Sequence, residues 1–176
     1  MSDAAALAAR FLDACEAKGI LAATAESCTG GLIIALMTDI PGASSMVDRG
    51  FVTYSNEAKT EMLGVSQATL TKHGAVSKET ALEMAAGALA NSRAGIALAV
   101  TGIAGPDGGS PEKPVGLVWF GVAVEGREPC AEKRLFENRG RDFIRAQTVR
   151  TALELGIAAL SDQAGADRPG ADQATP

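Results

Sequence analysis

The stretch "ILAATAESCTGGLIIALMT" (residues 20–38) decides the fold. Its first part, ILAATA (20–25), is an apolar run typical of a buried strand, and its last part, GLIIALMT (31–38), predicts a short apolar helix. Between them, glutamate, serine, cysteine and threonine precede two glycines. A strand that turns into a helix through such polar residues often holds an anion or carries chemistry.

The rest of the chain alternates helices and strands in the same way. Helical spacing and serine caps predict helices at 4–18, 31–38, 56–63, between Ser66 and Gly74, at 78–92 and at 142–160. Strands are predicted at 20–25, 46–55, 95–102, 117–124 and 131–137, the first and third of them buried and the last two joined as a pair. This pattern predicts an α/β fold, a three-layer α/β/α sandwich with a mixed, mainly parallel sheet.

Composition limits the classes of function. The 176 residues fit one domain, which we expect at 1–160, followed by a polar tail at 161–176 that we expect to be disordered. The net charge is −5 and no stretch is dense in lysine or arginine, so nucleic-acid binding is disfavoured. No signal-peptide pattern or membrane-length apolar run is present, and the three cysteines lack metal-type spacing. The sequence therefore predicts a cytoplasmic protein without a metal, membrane or nucleic-acid partner.

The chain contains a single histidine, His73. A Ser-His-Asp triad would depend on this residue, which precedes a glycine at a predicted helix end, where a structural role is favoured. If the protein is a hydrolase, the sequence therefore favours a lysine, glutamate or aspartate as its base.

Three polar segments, the first and last of them containing glycines, lie where predicted strands end, at 24–31, 53–59 and 101–110. Because ligands of α/β sheets bind at the carboxyl ends of strands, we expect these segments to share one pocket. The last segment lacks the glycine spacing of a Walker A loop or a Rossmann turn, but it suits a small polar ligand, with Thr101 and Asp107 as its polar candidates.

Each polar residue of the first two segments allows more than one interpretation. The helix start after Ser27 can present N–H groups to a phosphate or an oxyanion, and Ser27 or Thr29 can contribute a hydroxyl or merely cap the helix. Cys28 can be a thiolate nucleophile, although packing is favoured because it lacks a histidine partner. Lys59 is either a solvated helical lysine or one turned inward toward a pocket serine, where burial would lower its pKa and make it a base.

Four ordered motifs together resemble the CinA C-terminal domain family: "AESCTGG", "GFVTYSNEAK", "HGAVSKE" and "VTGIAGPDGGSPEKPVG". The resemblance covers about residues 5–160 and implies a stand-alone amidase domain, without the additional N-terminal domain of many members. It implies hydrolysis of the carboxamide of nicotinamide mononucleotide to nicotinate mononucleotide and ammonia, with no metal or other cofactor. We also expect a homo-oligomer.

The same resemblance assigns the site residues. Ser44, in "GASS" (42–45), is its first choice as nucleophile, with Ser27 and Lys59 as an assisting pair, although either serine can be the attacking group; Tyr54 belongs to the same catalytic set. The substrate-binding residues that it implies are Thr29, Gly30, Thr101, Gly102, Gly105, Asp107 and Arg141, the last suited to the nucleotide phosphate.

Two other classes of function remain open. One is a nucleotide-binding module without catalysis, and the other is an interaction module associated with competence or DNA damage, as the family name suggests. The acidic balance of the chain speaks against direct contact with DNA.

Overall fold

A computed structural model describes residues 3–161, so the predicted disorder of the tail falls almost wholly outside the described residues. The helices are α1 (Asp3–Ala17), α2 (Leu32–Thr38), α3 (Asn56–Leu63), α4 (Gln67–His73), α5 (Lys78–Ala90) and α6 (Arg141–Ser161). The strands are β1 (Ala22–Glu26), β2 (Val47–Val52), β3 (Ile96–Gly102), β4 (Leu117–Val124) and β5 (Cys130–Leu135). A single 3₁₀ turn at Ala43–Ser45 precedes β2 and is the one described element that the sequence analysis did not predict.

The five strands form one mixed sheet in the order β2-β1-β3-β4-β5. β1 pairs in parallel with β2 and β3, whereas β4 pairs antiparallel with β3 and β5. The prediction of a mixed sheet is confirmed, but the expectation that it is mainly parallel is wrong, because the pairs divide equally. The segment between β3 and β4 contains no helix, so it does not form the helical crossover that usually joins parallel strands.

Helices flank the sheet, and its two faces differ in side-chain size. Large side chains of β3 and β4 pack in one core cluster with α1, α2 and α6. The other face presents alanines to α5, which has α3 and α4 beside it. These alanines are Ala23, Ala25, Ala97, Ala99 and Ala123. On this face a Cβ at Gly121 would lie 2.2 Å from the carbonyl oxygen of Ala81 in α5. Small residues thus let α5 lie directly on the sheet.

Serine caps fix where three of these helices begin. The hydroxyls of Ser55, Ser66 and Ser77 each accept a hydrogen bond from a backbone N–H in the first turn of α3, α4 and α5. At the far end of α3, Gly64 adopts a left-handed conformation with φ of 71°, which glycine tolerates best. Because α3 starts directly after the end of β2, its first turn lies at the carboxyl edge of the sheet.

None of the helices within residues 3–161 combines the length and the apolar character that a membrane crossing requires.

Candidate active site

The side chains of Ser27 and Lys59 meet at the carboxyl edge of the sheet. Ser27 directly follows β1, and Lys59 lies one turn into α3. The Nζ of Lys59 is 3.0 Å from the Oγ of Ser27 and 2.9 Å from the carbonyl oxygen of Thr53. Lys59 is only 1% exposed and Ser27 9% exposed. Of the two interpretations of Lys59, the solvated helical lysine is therefore wrong, and the lysine is turned inward onto a serine.

The environment of Lys59 favours its neutral form. Burial lowers the pKa of its amine from the usual 10.5, while Cys28 and Glu57 oppose this shift more weakly. Besides the carbonyl of Thr53, those of Tyr54 and Ser55 lie 3.5 Å from Nζ. A neutral amine can donate its two hydrogens to these carbonyls and direct its lone pair at the hydroxyl of Ser27. This geometry suits a general base paired with a serine nucleophile.

Three residues with hydroxyl groups, Thr53, Ser27 and Thr101, lie side by side where the parallel strands end. Glu26 pairs with Val52 of β2 and with Val100 of β3. The ladder continues by one step, since the N–H of Thr53 donates to Glu26 O at 2.9 Å and that of Ser27 to Val100 O at 3.1 Å.

Alternation along the strands places the side chains of Thr53, Ser27 and Thr101 on the α3–α5 face, two residues beyond Phe51, Ala25 and Ala99 of that core. Thr101 donates its hydroxyl to the carbonyl of Ala75 at 2.7 Å. The structure thus brings the predicted site residues Ser27, Lys59 and Thr101 to one region.

Glu26 holds the turn that contains Ser27, and the sequence analysis missed this residue. Its buried carboxylate accepts hydrogen bonds from the backbone N–H groups of Gly31, Ile33 and Ile34, at 2.9 to 3.1 Å, and from the hydroxyl of Thr29 at 2.6 Å. The expectation that the start of α2 offers these N–H groups to a phosphate or oxyanion is therefore wrong for Gly31, Ile33 and Ile34, because the chain's own carboxylate occupies all three. A glutamate at the last position of a strand before a helix was the available signal.

Arg141 joins two predicted residues at the mouth of the site. Its guanidinium donates to the carbonyl of Gly105 at 2.9 Å and to the hydroxyl of Tyr54 at 3.2 Å. Tyr54 is 63% exposed, so this bridge lies at the surface between the end of β2 and the glycine-rich loop. The arrangement places a cation on the side chain of Tyr54, the residue whose backbone carbonyl lies 3.5 Å from the Nζ of Lys59.

Arg145, one turn further along α6, was also missed. Its guanidinium donates to the carbonyls of Cys28 and Thr29, at 3.2 and 2.8 Å, and so holds the turn that follows Ser27. The spacing of two arginines by four residues in the first turns of α6 was the signal for a shared role.

The remaining predicted binding residues lie around the same edge. Gly30 has a φ of 62°, and a Cβ there would lie 3.8 Å from the Nη2 of Arg145. Gly102 ends β3 against β4, where a Cβ would meet Val118 at 2.6 Å. Asp107 is exposed on the loop between β3 and β4. The geometry gives Gly102 a packing role, while Asp107 is free to turn toward a ligand.

Ser44 does not join this group. It is exposed on the 3₁₀ turn before β2, and β2 begins with Val47, which pairs with Ala22 at the start of β1. Ser44 and Ser27 therefore lie at opposite ends of two parallel strands, roughly 15 Å apart or more at about 3.3 Å per residue. Ser44 instead lines a surface cavity of about 540 Å³ with Asp39 and Arg49.

Two other candidate residues, Cys28 and His73, have surroundings that favour a structural role. Cys28 is buried, and burial raises the pKa of its thiol to about 12, which favours the packing interpretation over a thiolate. His73 ends α4, with its Nδ1 3.5 Å from the carboxylate of Glu79. Within residues 3–161 no group of three or more histidine, cysteine, aspartate or glutamate side chains is arranged to hold a metal ion.

The chain is similar in sequence to a known protein family and to several characterised proteins. The family profile "CinA C-terminal domain" matches residues 4–160. The nicotinamide-nucleotide amidohydrolase PncC of Escherichia coli strain K12 is 51% identical over 141 residues, which is 80% of this chain and 85% of that protein. A CinA-like protein of Akkermansia muciniphila is 53% identical over 132 residues, 75% of this chain but only 32% of that longer protein.

Among solved structures, the competence/damage inducible protein CihA of Agrobacterium tumefaciens matches with a TM-score of 0.88 and 52% identity, covering 92% of this chain and 97% of that one. A CinA superfamily protein of Klebsiella pneumoniae matches with a TM-score of 0.87 and 35% identity, covering 92% and 99%. Both likenesses extend over nearly all the described residues.

Proposed function

The chain belongs to the CinA C-terminal domain family, and on this premise we propose that it is a nicotinamide-nucleotide amidohydrolase. The reaction is hydrolysis of the carboxamide of nicotinamide mononucleotide to nicotinate mononucleotide and ammonia. The observation that carries the proposal is the contact of a buried lysine amine with a serine hydroxyl at the carboxyl edge of the sheet. The 51% identity with a nicotinamide-nucleotide amidohydrolase over 85% of its length supports the choice of substrate.

In the first half of the proposed reaction, Ser27 is acylated. The Oγ of Ser27 attacks the carboxamide carbon while its proton passes to the neutral Nζ of Lys59, 3.0 Å away. The resulting ammonium of Lys59 then donates a proton to the carboxamide nitrogen, the C–N bond breaks, and ammonia leaves. Lys59 is neutral again, and the acyl group remains on Ser27 as an ester.

In the second half, water hydrolyses this ester. The neutral Lys59 takes one proton from the water as the water oxygen attacks the acyl carbon. The bond from carbon to the Oγ of Ser27 then breaks, and Lys59 returns the proton to Oγ. The sum consumes one water and one amide and releases one acid and one ammonia, without any metal or other cofactor.

The geometry supports Ser27, and not Ser44, as the nucleophile. A nucleophile needs a base within hydrogen-bond reach, and Ser27 has Lys59 at 3.0 Å. Ser44 lies at the opposite end of the strands, where it lines a surface cavity with Asp39 and Arg49. In this proposal Ser44 therefore takes no part in the reaction at the Ser27–Lys59 pair of its own chain.

Substrate binding is proposed at the mouth of the site. The guanidinium of Arg141 is suited to the nucleotide phosphate, because planar bidentate hydrogen bonds match phosphate oxygens. Tyr54, which already accepts from Arg141, offers an exposed ring beside it. The loop with Gly105 and Asp107, which follows Thr101 at the end of β3, contacts Arg141 and supplies backbone groups for the remainder of the ligand.

Further parts of the proposal concern the state of the protein in the cell. We propose one amidase domain over residues 1–160, a cytoplasmic location and a homo-oligomer that acts on a small nucleotide and not on nucleic acid. Light scattering on the purified chain measures the oligomeric state directly, and a monomer at assay concentration would contradict that part.

The function is tested by ammonia release from nicotinamide mononucleotide, nicotinamide riboside and nicotinamide side by side. We expect turnover with the mononucleotide and a lower kcat/KM with the two compounds that lack the phosphate, since the guanidinium of Arg141 then has no phosphate to bind. Arg141→Gln provides the matched control, because it should lower kcat/KM for the mononucleotide and leave that for the riboside nearly unchanged. Binding of the mononucleotide without any ammonia release would instead favour a non-catalytic nucleotide-binding module.

A further inference from the structure

The hydroxyl of Thr53 is buried beside the Ser27–Lys59 pair and has no hydrogen-bond partner. The residue is 0% exposed, and within the part of the chain that the structure describes its Oγ1 is one of two buried side-chain oxygens without a partner, the other being that of Thr60. A buried hydroxyl that makes no hydrogen bond costs stability, because it has lost its contacts with water. An orphaned polar group of this kind in a functional site points to a partner that arrives during the reaction.

The position of Thr53 relates it to the reacting atoms. Its backbone carbonyl accepts a hydrogen bond from the Nζ of Lys59 at 2.9 Å. Its strand position is level with Ser27, because Val52 pairs with Glu26 and the N–H of Thr53 donates to Glu26 O. Neighbouring strands lie about 4.8 Å apart, so the side chains of Thr53 and Ser27 stand next to each other on one face of the sheet.

We propose that the hydroxyl of Thr53 binds the water molecule that hydrolyses the acyl group on Ser27. This inference rests on the amidase function proposed above. The attacking water has two hydrogens and must direct a lone pair at the acyl carbon. One hydrogen goes to the neutral Nζ of Lys59, and the other is donated to the Oγ1 of Thr53. These two bonds fix the orientation of the water, so its oxygen faces the ester carbon on the adjacent Ser27.

Two pairs of variants isolate the hydroxyl. Thr53→Val replaces the hydroxyl by a methyl group of similar size, and Thr53→Ala differs from Thr53→Ser only by the hydroxyl. Thr60→Val removes the other orphaned hydroxyl and is the control for deleting such a group without touching the proposed water site. Each variant is examined by thermal unfolding and by rapid-quench kinetics with nicotinamide mononucleotide, which follow ammonia and nicotinate mononucleotide separately.

We expect Thr53→Val to melt at or above the temperature of the wild type, since an unpaired polar group is removed, and yet to lose turnover by on the order of 10- to 100-fold. Ammonia should appear in a burst of one equivalent per site, followed by slow release of the acid, and hydroxylamine should restore turnover by replacing the water as nucleophile. Thr53→Ser should turn over close to the wild type and Thr53→Ala should behave as Thr53→Val does. Thr60→Val should keep wild-type kinetics.

Equal turnover of Thr53→Ala and Thr53→Ser, or a slow Thr53→Val without an ammonia burst, would overturn the inference. The alanine–serine comparison stays decisive if the valine variant does not fold. A wild-type chain that releases no ammonia would refute the amidase function itself, and this inference with it, whereas an active wild type with wild-type kinetics in Thr53→Ala would refute only the role of Thr53.

Discussion

Two serines stand at opposite ends of the same two parallel strands, and their surroundings differ in burial and in the presence of a lysine. Ser27, at the carboxyl ends, is 9% exposed and contacts a lysine that is 1% exposed. Ser44, at the amino ends, is exposed on a 3₁₀ turn and lines a surface cavity with Asp39 and Arg49. The comparison teaches that a sequence motif can contain a serine without placing a base beside it, and the proposed mechanism therefore assigns the attack to the serine that has one.

The largest expected effect separates these two serines. Ser27→Ala removes the proposed nucleophile, and losses on the order of 10⁴–10⁶ in kcat are typical of such changes. Ser44→Ala removes an exposed hydroxyl without a base and should retain most of the wild-type kcat. Steady-state ammonia release from both purified variants measures the difference. The reverse ranking would mean that Ser44 attacks and that a second copy of the chain must bring a base to it.

The second-largest expected effect tests whether Lys59 is the base. Lys59→Arg keeps a positive charge but cannot release its proton at working pH, so kcat should fall on the order of 10²–10⁴, as should that of Lys59→Ala. Circular dichroism checks that both variants fold. Near wild-type turnover in either folded variant would show that Lys59 is not the base.

The pH profile of the wild type tests the same residue. Below its pKa the amine of Lys59 is protonated and cannot accept the proton of Ser27, so kcat should rise with pH and level off above that pKa. Because burial lowers the pKa of Lys59 from 10.5, the rise should end below the pH at which an ordinary lysine titrates. A flat profile across this range would contradict a titrating lysine base.

Much of this fold follows from local signals. Ser55 and Gly64 bracket α3 as predicted, because a cap hydroxyl and a left-handed glycine act through hydrogen bonds within one or two turns. The apolar run of β3 and the strand β4 were also predicted, since buried strands are continuous in hydrophobicity. Local chemistry therefore sufficed for the helices and strands and for the edge of the sheet at which the candidate site lies.

The parts that sequence did not predict depend on distant contacts. Nothing local to "GASS" shows that its turn lies at the amino edge of the sheet, since that follows from the register of β2 on β1. The hydrogen bonds from the α2 N–H groups to Glu26 form because the backbone turns and brings residues five to eight positions later to this carboxylate. The orphaned hydroxyl of Thr53 is visible only once every neighbour is placed.

A stability measurement tests whether the carboxylate of Glu26 stabilises the turn that contains Ser27. Glu26→Gln turns one acceptor oxygen into an N–H₂ group that faces the N–H donors of α2, and such a mismatch costs about 1–3 kcal/mol of the free energy of unfolding. Chemical denaturation measures the loss. Glu61→Gln, an exposed change of the same kind in α3, is the control and should stay within about 0.5 kcal/mol of the wild type. Equal stability of both variants would deny Glu26 its structural role.

The smallest expected effect concerns Cys28, the residue beside Ser27. Its thiol is buried and its pKa is raised to about 12, so Cys28→Ala should retain most of the wild-type kcat. Alkylating reagents should likewise leave activity intact while the protein is folded. A fall in kcat comparable to that of Ser27→Ala would instead make the thiol the attacking group.

The central claim is tested most directly by locating the acyl group. Acid quench of the enzyme during turnover of nicotinamide mononucleotide traps the ester, and cleavage before Asp39 separates the peptide that carries Ser27 from the peptide that carries Ser44. Mass spectrometry of the two peptides, with Thr53→Val used to accumulate the intermediate, should find the nicotinate mononucleotide adduct on Ser27 and none in Ser27→Ala. An adduct on the peptide with Ser44 would contradict the account.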